Sequence, residues 1–447
     1  MNNTSNKLGD MPIGRLLISM SVPMMLSFFI QALYNMVDSM FVARISEDAL
    51  TAVSIALPMQ QIINAIGVGT GVAVTALVPR YQGQGQKERA LQIANTTVLL
   101  SICYTVIFFL VGITCVRGYY TMQTTLPTIV EAGVDYLSVI CMISVGAFFC
   151  QNFEKLLIAT GNTFYSMLAQ ASGAIFNIIF DPLLIFGIGP FPEMGVKGAA
   201  LATVLGQIFA ALVAFFFLHR KEKNIRLSFR YMTPTLNMLK EIYSIGIPSI
   251  ITVGLTSAMS FCLNQILLAF STTATAVFGI WLKLQNFAFM PVFGLNNGTV
   301  PMISYNYGTG NLPRVKKTVK LALLVALGLE LFLLLIFELI PVPLLGLFSA
   351  SSTMLSIGIV ALRICCLSLP FGAVAVILSS SFQSLGRSRY TLIVNLCRQL
   401  FFIVPIAYLM SLTGRLELIW TAAPLAELFS MLLAIILWKK MRKMLNM

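Results

Sequence analysis

Two carboxylates stand where an apolar chain has least use for them. Asp38 follows 22 uncharged residues, Leu16 to Val37, and Asp181 lies inside another apolar run with Pro182 directly after it. An ionised Asp at the centre of a membrane helix costs about 2.5–3.5 kcal/mol on the insertion scale, so such residues are rare and tend to be functional. Each has polar company at helical spacing. Gln31, Asn35 and Asp38 fall at i, i+4 and i+7 on one helical face, and Gln170, Ala174, Asn177 and Asp181 form a second stripe. Thr203 and Gln207 add a hydroxyl and an amide at i and i+4, and Asn64 adds an amide from a further run. Carboxylate, amide and hydroxyl oxygens gathered in a dry pocket suit two chemistries. Two close carboxyls hold a proton that belongs to the pair, and can load it on one side and release it on the other. The same oxygens can instead replace the water shell of Na⁺. A structural reading competes with both, in which the two Asp side chains only bond neighbouring helices or sit at headgroup depth.

The elements that must position these groups are membrane helices. The 447 residues are 58% apolar and 10% charged, with mean hydropathy +0.88; water-soluble domains carry about 25% charged residues. The fold class expected is all-α and polytopic. The apolar runs predict twelve spans, at 13–42, 49–79, 90–116, 127–158, 163–188, 196–219, 237–270, 273–304, 315–340, 352–384, 389–413 and 417–440. Pro23, Pro248 and Pro370 are the expected kink points, each removing a backbone donor.

A repeat organises the spans. At one offset of 225 residues, Pro23 pairs with Pro248, Gly83 with Gly308, Gly85 with Gly310, Arg89 with Arg314 and Gly161 with Gly386. The expected domains are therefore a six-helix lobe over 1–219, a basic linker over 220–236 and a second six-helix lobe over 237–447. Six spans per unit give both lobes the same orientation, so the repeat is parallel, with a pseudo-two-fold axis along the membrane normal. That is the geometry of alternating-access transporters. Of the 29 Lys and Arg, 22 lie at the termini and in alternate loops, while the intervening loops hold only Arg44, Arg117, Lys197 and Arg415. This asymmetry predicts both termini in the cytoplasm. On that topology Asp38 and Asp181 lie at similar depth, about four and seven residues from the outer ends of their spans.

The charge of +13 thus sets topology and touches lipid, and no nucleic-acid partner is expected. Eight cysteines show no CxxC or Cys/His spacing, and His219 is the single histidine, so neither a metal site nor a cofactor is expected. No HExxH or Ser/His/Asp arrangement supports an enzyme. A membrane aspartic protease could use Asp38 and Asp181, but it has no use for the repeat. In the second half Lys283 and Asn286 stand at i and i+3 and are candidates for the substrate cavity, with Gln31, Asn35, Asn64 and Gln207 from the first. Arg363 and Arg398 read as helix anchors, with Glu330, Glu338 and Glu427 as possible partners.

With these features in hand, the chain resembles the multidrug and toxic compound extrusion (MATE) family over nearly its whole length. The marks are Pro23 with Asp38, the loop from Pro79 to Ala90, Asn177-Ile-Ile-Phe-Asp181-Pro182, Gly198-Ala-Ala-Leu-Ala-Thr203 and Ser304-Tyr-Asn-Tyr-Gly308. The resemblance implies twelve helices in two lobes and export of small amphipathic, often cationic compounds in exchange for H⁺ or Na⁺. A plasma (inner) membrane location follows, and a monomer is expected. It also implies a branch whose cation site lies in the first lobe, which places cation coupling on Asp38, Asn177, Asp181 and Thr203. Another branch uses acidic residues in helices seven and ten; this chain has none in the tenth, and in the seventh only Glu241 at its cytoplasmic start. It departs from the usual loop pattern at Gln86, where Asp or Asn commonly follows the second glycine. The alternative within the superfamily is a lipid-linked oligosaccharide flippase, for which Lys283, Arg363 and Arg398 would supply a cationic cavity.

Overall fold

The computed structural model describes residues 7–222, 225–348 and 351–446. Lys223 of the basic linker lies outside them. Among the described residues every regular element is helical. All twelve predicted spans are present. Eight are single helices over Ile13–Ala43, Glu47–Gly83, Lys87–Thr114, Thr163–Phe186, Gly195–Lys221, Leu236–Leu268, Thr272–Gly308 and Leu312–Leu339. The fourth and tenth are bent pairs, Pro127–Met142 with Val145–Ala159 at 45° and Ser352–Cys366 with Ser368–Ser384 at 41°. The eleventh, Ser388–Leu396 to Ile403–Ser411, passes through a π-helical stretch at Cys397–Phe402, and the twelfth is Leu416–Trp420 followed by Ala422–Met444. Large apolar side chains such as Leu212, Phe216, Leu331 and Phe332 are exposed, as suits helices whose solvent is lipid.

The repeat extends to how helices begin and end. Ser46 and Ser271, 225 apart, both cap a helix from extended backbone, accepting from Ala49 N and Ala274 N at 3.0 Å. Gly85 and Gly310 occupy the left-handed region at φ 75° and 76°, which glycine adopts without steric cost. They let the chain reverse between two long helices. The arginines of these loops also have a shared use. Arg314 donates to the carbonyls of Leu8 and Met11, and Asn306 donates to Leu8 O at 3.2 Å. Arg89 pairs with Glu241 at 3.2 Å, whose other oxygen accepts from Tyr81. Each loop thus ties down the start of the first helix of the other repeat.

The kinks follow proline only in part. The break in the tenth span lies just before Pro370, which sits in the first turn of the second helix where a missing N–H costs nothing. Pro23 and Pro248 lie instead inside continuous helices. The break in the fourth span has no proline. There a Cβ on Gly146 would lie 2.9 Å from Ile208 N, so the backbone of span six presses directly on this segment.

By contacts the chain forms two compact units, residues 26–246 and residues up to 25 with those from 247 onward. The first and seventh helices each belong partly to both, and change unit within three residues of Pro23 and Pro248. In the 26–246 unit, Val74, Leu77, Ile93, Leu156 and Ile242 form one core cluster, while Val42, Phe108, Leu137, Phe148 and Ala199 form another. In the other unit Leu16, Met20, Val292, Leu369 and Ala373 pack together.

One ionisable group just past a span yields a pH prediction. Burial pushes the Glu222 carboxyl up to about 7, against hydrogen bonds from Asn162, at 2.8 Å, and Thr160 that favour its charged form. Between the unfolded value of 4.5 and about 7 the folded state holds a proton that the unfolded chain has released. Stability therefore falls as pH rises through that window. Glu222→Gln should raise the melting temperature of the detergent-solubilised protein at about pH 8 and leave it nearly unchanged at about pH 5. Equal gains at both would contradict this origin.

Candidate ion site

The site is built where the fifth and sixth spans cross. A Cβ on Gly173 would lie 2.8 Å from Gly206 O, and one on Gly206 would lie 2.9 Å from Gly173 O. Backbones in such close approach need glycine on both sides. One and two turns beyond Gly173, Asn177 and Asp181 are buried at 3% and 0% exposure. The Asn177 amide donates to Asp181 Oδ1 at 3.2 Å and to Thr203 Oγ1 at 3.4 Å. The crossing thus brings an amide, a carboxyl and a hydroxyl from two helices to one point.

The first span supplies the second carboxyl. Half-buried Asp38 lies within hydrogen-bond reach of Asp181. Two ionised carboxylates at that separation repel, so the contact is stable only with a shared proton or a bridging cation. Three oxygens nearby have the same need. Asp38 Oδ1, Asn177 Oδ1 and Asp181 Oδ2 are buried acceptors without a hydrogen-bond partner. Buried polar atoms are nearly always paired, so three orphaned acceptors around one pair of acids describe a place for positive charge.

Three residues unremarked in the sequence join this group. Tyr34, one turn before Asp38, lies within electrostatic reach of Asp38, Asp181, Cys150 and Glu154. Tyr136 lies within reach of both Asp side chains, and its hydroxyl accepts from Gln60 Nε2 at 2.9 Å. Glu154, in the second half of the fourth span, accepts from the Cys150 thiol at 3.3 Å. It was legible as an acid near the end of the predicted span 127–158. Tyr34 could have been found from its i−4 relation to Asp38.

None of the six substrate-cavity candidates hydrogen-bonds the two carboxyls. Gln31 is half-buried and Asn35 exposed, and neither hydrogen-bonds the carboxyls. Asn64 is exposed and accepts from Gln151 Nε2 at 3.4 Å. Gln207 is half-buried one turn past Thr203 and forms no hydrogen bond with the acids. In the other compact unit Lys283 and Asn286 are exposed, with Lys283 Nζ 5.8 Å from the Phe348 ring centroid. The two arginines there found protein partners. Arg398 Nε meets Glu427 Oε1 at 2.8 Å and Arg363 Nε meets Glu338 Oε2 at 3.7 Å. Glu330 is fully buried, with both carboxyl oxygens lacking a hydrogen-bond partner.

Comparison with known proteins supports the fold and the class. The chain is 26% identical over 430 residues to the FAD transporter of Shewanella oneidensis, covering 93% of this chain and 92% of that one. It is 24% identical over 433 residues to the multidrug export protein MepA of Staphylococcus aureus, with coverage of 95% and 94%. Its fold matches an outward-facing multidrug resistance MATE family transporter of the MOP superfamily with TM-score 0.92, 24% identity and coverage of 100% and 99%. A MOP superfamily transporter from Pyrococcus furiosus matches at TM-score 0.90 and 24% identity, covering 100% of each chain. The MatE family model matches twice, at residues 23–183 and 248–409, so its two copies start 248 − 23 = 225 residues apart, the offset of the internal repeat. The chain is therefore a multi-pass membrane transporter and belongs to the MATE family.

Proposed function

We propose that this protein is a secondary antiporter that exports small amphipathic, cationic compounds in exchange for H⁺ or Na⁺, with its coupling ion held in the 26–246 unit. The supporting observation is the Asp38–Asp181 contact ringed by three unpartnered acceptor oxygens. Asp38 and Asp181 carry the charge, Asn177 orients Asp181 through its amide, and Thr203 offers a fourth oxygen. A site that must be filled by a proton or Na⁺ gives one state of the transporter an affinity that the other lacks, and coupling requires that difference. Cation entry from outside favours one access state, and substrate binding from the cytoplasm favours the other. On the basic-loop asymmetry both termini face the cytoplasm. The MepA relatives, named multidrug export proteins, support drug-like cargo.

The experiment is uptake of a fluorescent cationic dye into inverted vesicles under separately imposed pH and Na⁺ gradients. One gradient should drive uptake and its collapse should release the dye. Uptake indifferent to both would remove ion coupling from the reading.

A second reading has its own observation, since one relative matching over 93% of the chain is named an FAD transporter. An anionic dinucleotide needs cationic contacts, and exposed Lys283 is the candidate. Export of FAD from loaded vesicles, lost in Lys283→Gln with dye export retained, would favour it.

A further inference from the structure

We propose that the segment between the sixth and seventh spans is a docking surface for anionic phospholipid headgroups, with Arg226 and Arg230 as its charge and Asn95 as the residue that holds it in place. Over residues 220–236 the chain carries five Lys or Arg and one acid, Glu222. That acid is turned inward, half-buried and accepting from Asn162 Nδ2 at 2.8 Å. Arg220, Lys221, Arg226 and Arg230 are exposed, and among the described residues none of the four pairs with a carboxylate. The outward surface is therefore of one sign.

The segment is pinned to the 26–246 unit. Asn95 of the third span is fully buried, and its amide grips the segment twice. Its Nδ2 donates to Arg226 O at 3.1 Å, and its Oδ1 accepts from Ser228 N at 2.8 Å. Ile225 is buried in the core cluster of Ile93 and Leu156, and Leu227 packs against the same cluster. These two apolar residues alternate with exposed Arg226 and Ser228, so fixing them also fixes the side on which Arg226 emerges. The 3₁₀ turn Phe229–Tyr231 follows and carries Arg230. Position then selects the partner. The sixth span ends at Lys221 and the seventh begins at Leu236, which puts the segment at headgroup level. Aromatic rings mark that level, with Arg220 Cζ 5.4 Å from the Phe216 ring centroid and Lys221 Nζ 5.1 Å from that of Tyr165. Such pairs keep an apolar stem in lipid and a cationic head at the interface.

The test is the melting temperature of the full chain in neutral detergent, titrated with phosphatidylglycerol, phosphatidylcholine or inorganic phosphate. Phosphatidylglycerol should raise it in a saturable way, and the other two should not. Each basic side chain near an anionic surface is worth roughly fivefold in affinity, so Arg226→Gln with Arg230→Gln should raise the half-saturating phosphatidylglycerol concentration about tenfold or more. Ser228→Pro removes the N–H that Asn95 accepts and keeps every charge, and it should weaken the response to a similar degree. Equal responses to phosphatidylglycerol and phosphatidylcholine, or an unchanged response in the double arginine variant, overturn the proposal. A response lost with the arginines but kept in Ser228→Pro means charge on a loose chain, and overturns the pinned surface. Inorganic phosphate that matches phosphatidylglycerol overturns the lipid as occupant.

Discussion

Asp38→Asn should leave a folded, inserted transporter that no longer moves substrate against a gradient. The substitution keeps the shape of the side chain and removes its charge and its exchangeable proton. The contact with Asp181 then becomes an ordinary amide–carboxyl hydrogen bond, satisfied without a shared proton or bridging cation. With nothing to load, the two access states lose the differential cation affinity that links them. Coupling between sites typically amounts to about 1–3 kcal/mol, or roughly 5–150-fold, so gradient-driven dye accumulation should fall by about tenfold or more. Dye binding and passive equilibration should persist, because the substitution leaves Asp181 and its hydrogen bond from Asn177 in place. The measurement is dye accumulation in proteoliposomes with an imposed gradient, beside equilibrium dye binding to purified protein. Accumulation equal to wild type would place coupling elsewhere in the chain.

The second large effect is expected at a residue with no chemistry. Gly206→Val puts side-chain atoms where the fifth and sixth spans touch, 2.9 Å from Gly173 O and 3.3 Å from Asn177 Cβ at the first added carbon. Backbone cannot yield as a flexible side chain would, so the helices must separate or rotate. Overpacking of this kind typically costs about 1–3 kcal/mol. The functional loss should exceed the loss of stability, because the hydrogen bond from Asn177 to Thr203, at 3.4 Å, spans this crossing, and the same amide holds Asp181. Thermal stability in detergent should drop moderately, while gradient-driven transport should fall to background. Ala at the same position, which adds one carbon, should show the same order of effects at smaller size. A Gly206→Val protein that transports normally would mean that the crossing does not set the geometry of the site.

The fourth span shows where reading residues in order runs out. Its apolar run over 127–158 was visible, but its 45° bend was not, because no proline marks it. Just past the break Gly146 lies against the backbone of Ile208, a residue 62 positions away. Pro370 was the opposite case, a bend legible in one residue type. Glu154 could be counted as an acid in a span, yet its place within electrostatic reach of Tyr34 on the first span came only from packing. Thr203 and Gln207 were alike by spacing on one helix, and packing gave Thr203 the hydrogen bond from Asn177.

The chain by itself determined that this is a polytopic helical protein, where its spans run, that they repeat at 225 residues, and that Asp38 and Asp181 sit inside them. Hydrophobic length, helical period and the cost of burying charge are local properties, and they survive being read in one dimension. Only the tertiary structure decided that those two carboxyls meet, that Tyr34 and Tyr136 lie within electrostatic reach of both, and that Gln31 and Asn35 do not hydrogen-bond them. Contacts between distant residues depend on helix crossings, and crossings are set by where backbone can touch backbone, as at Gly173 and Gly206.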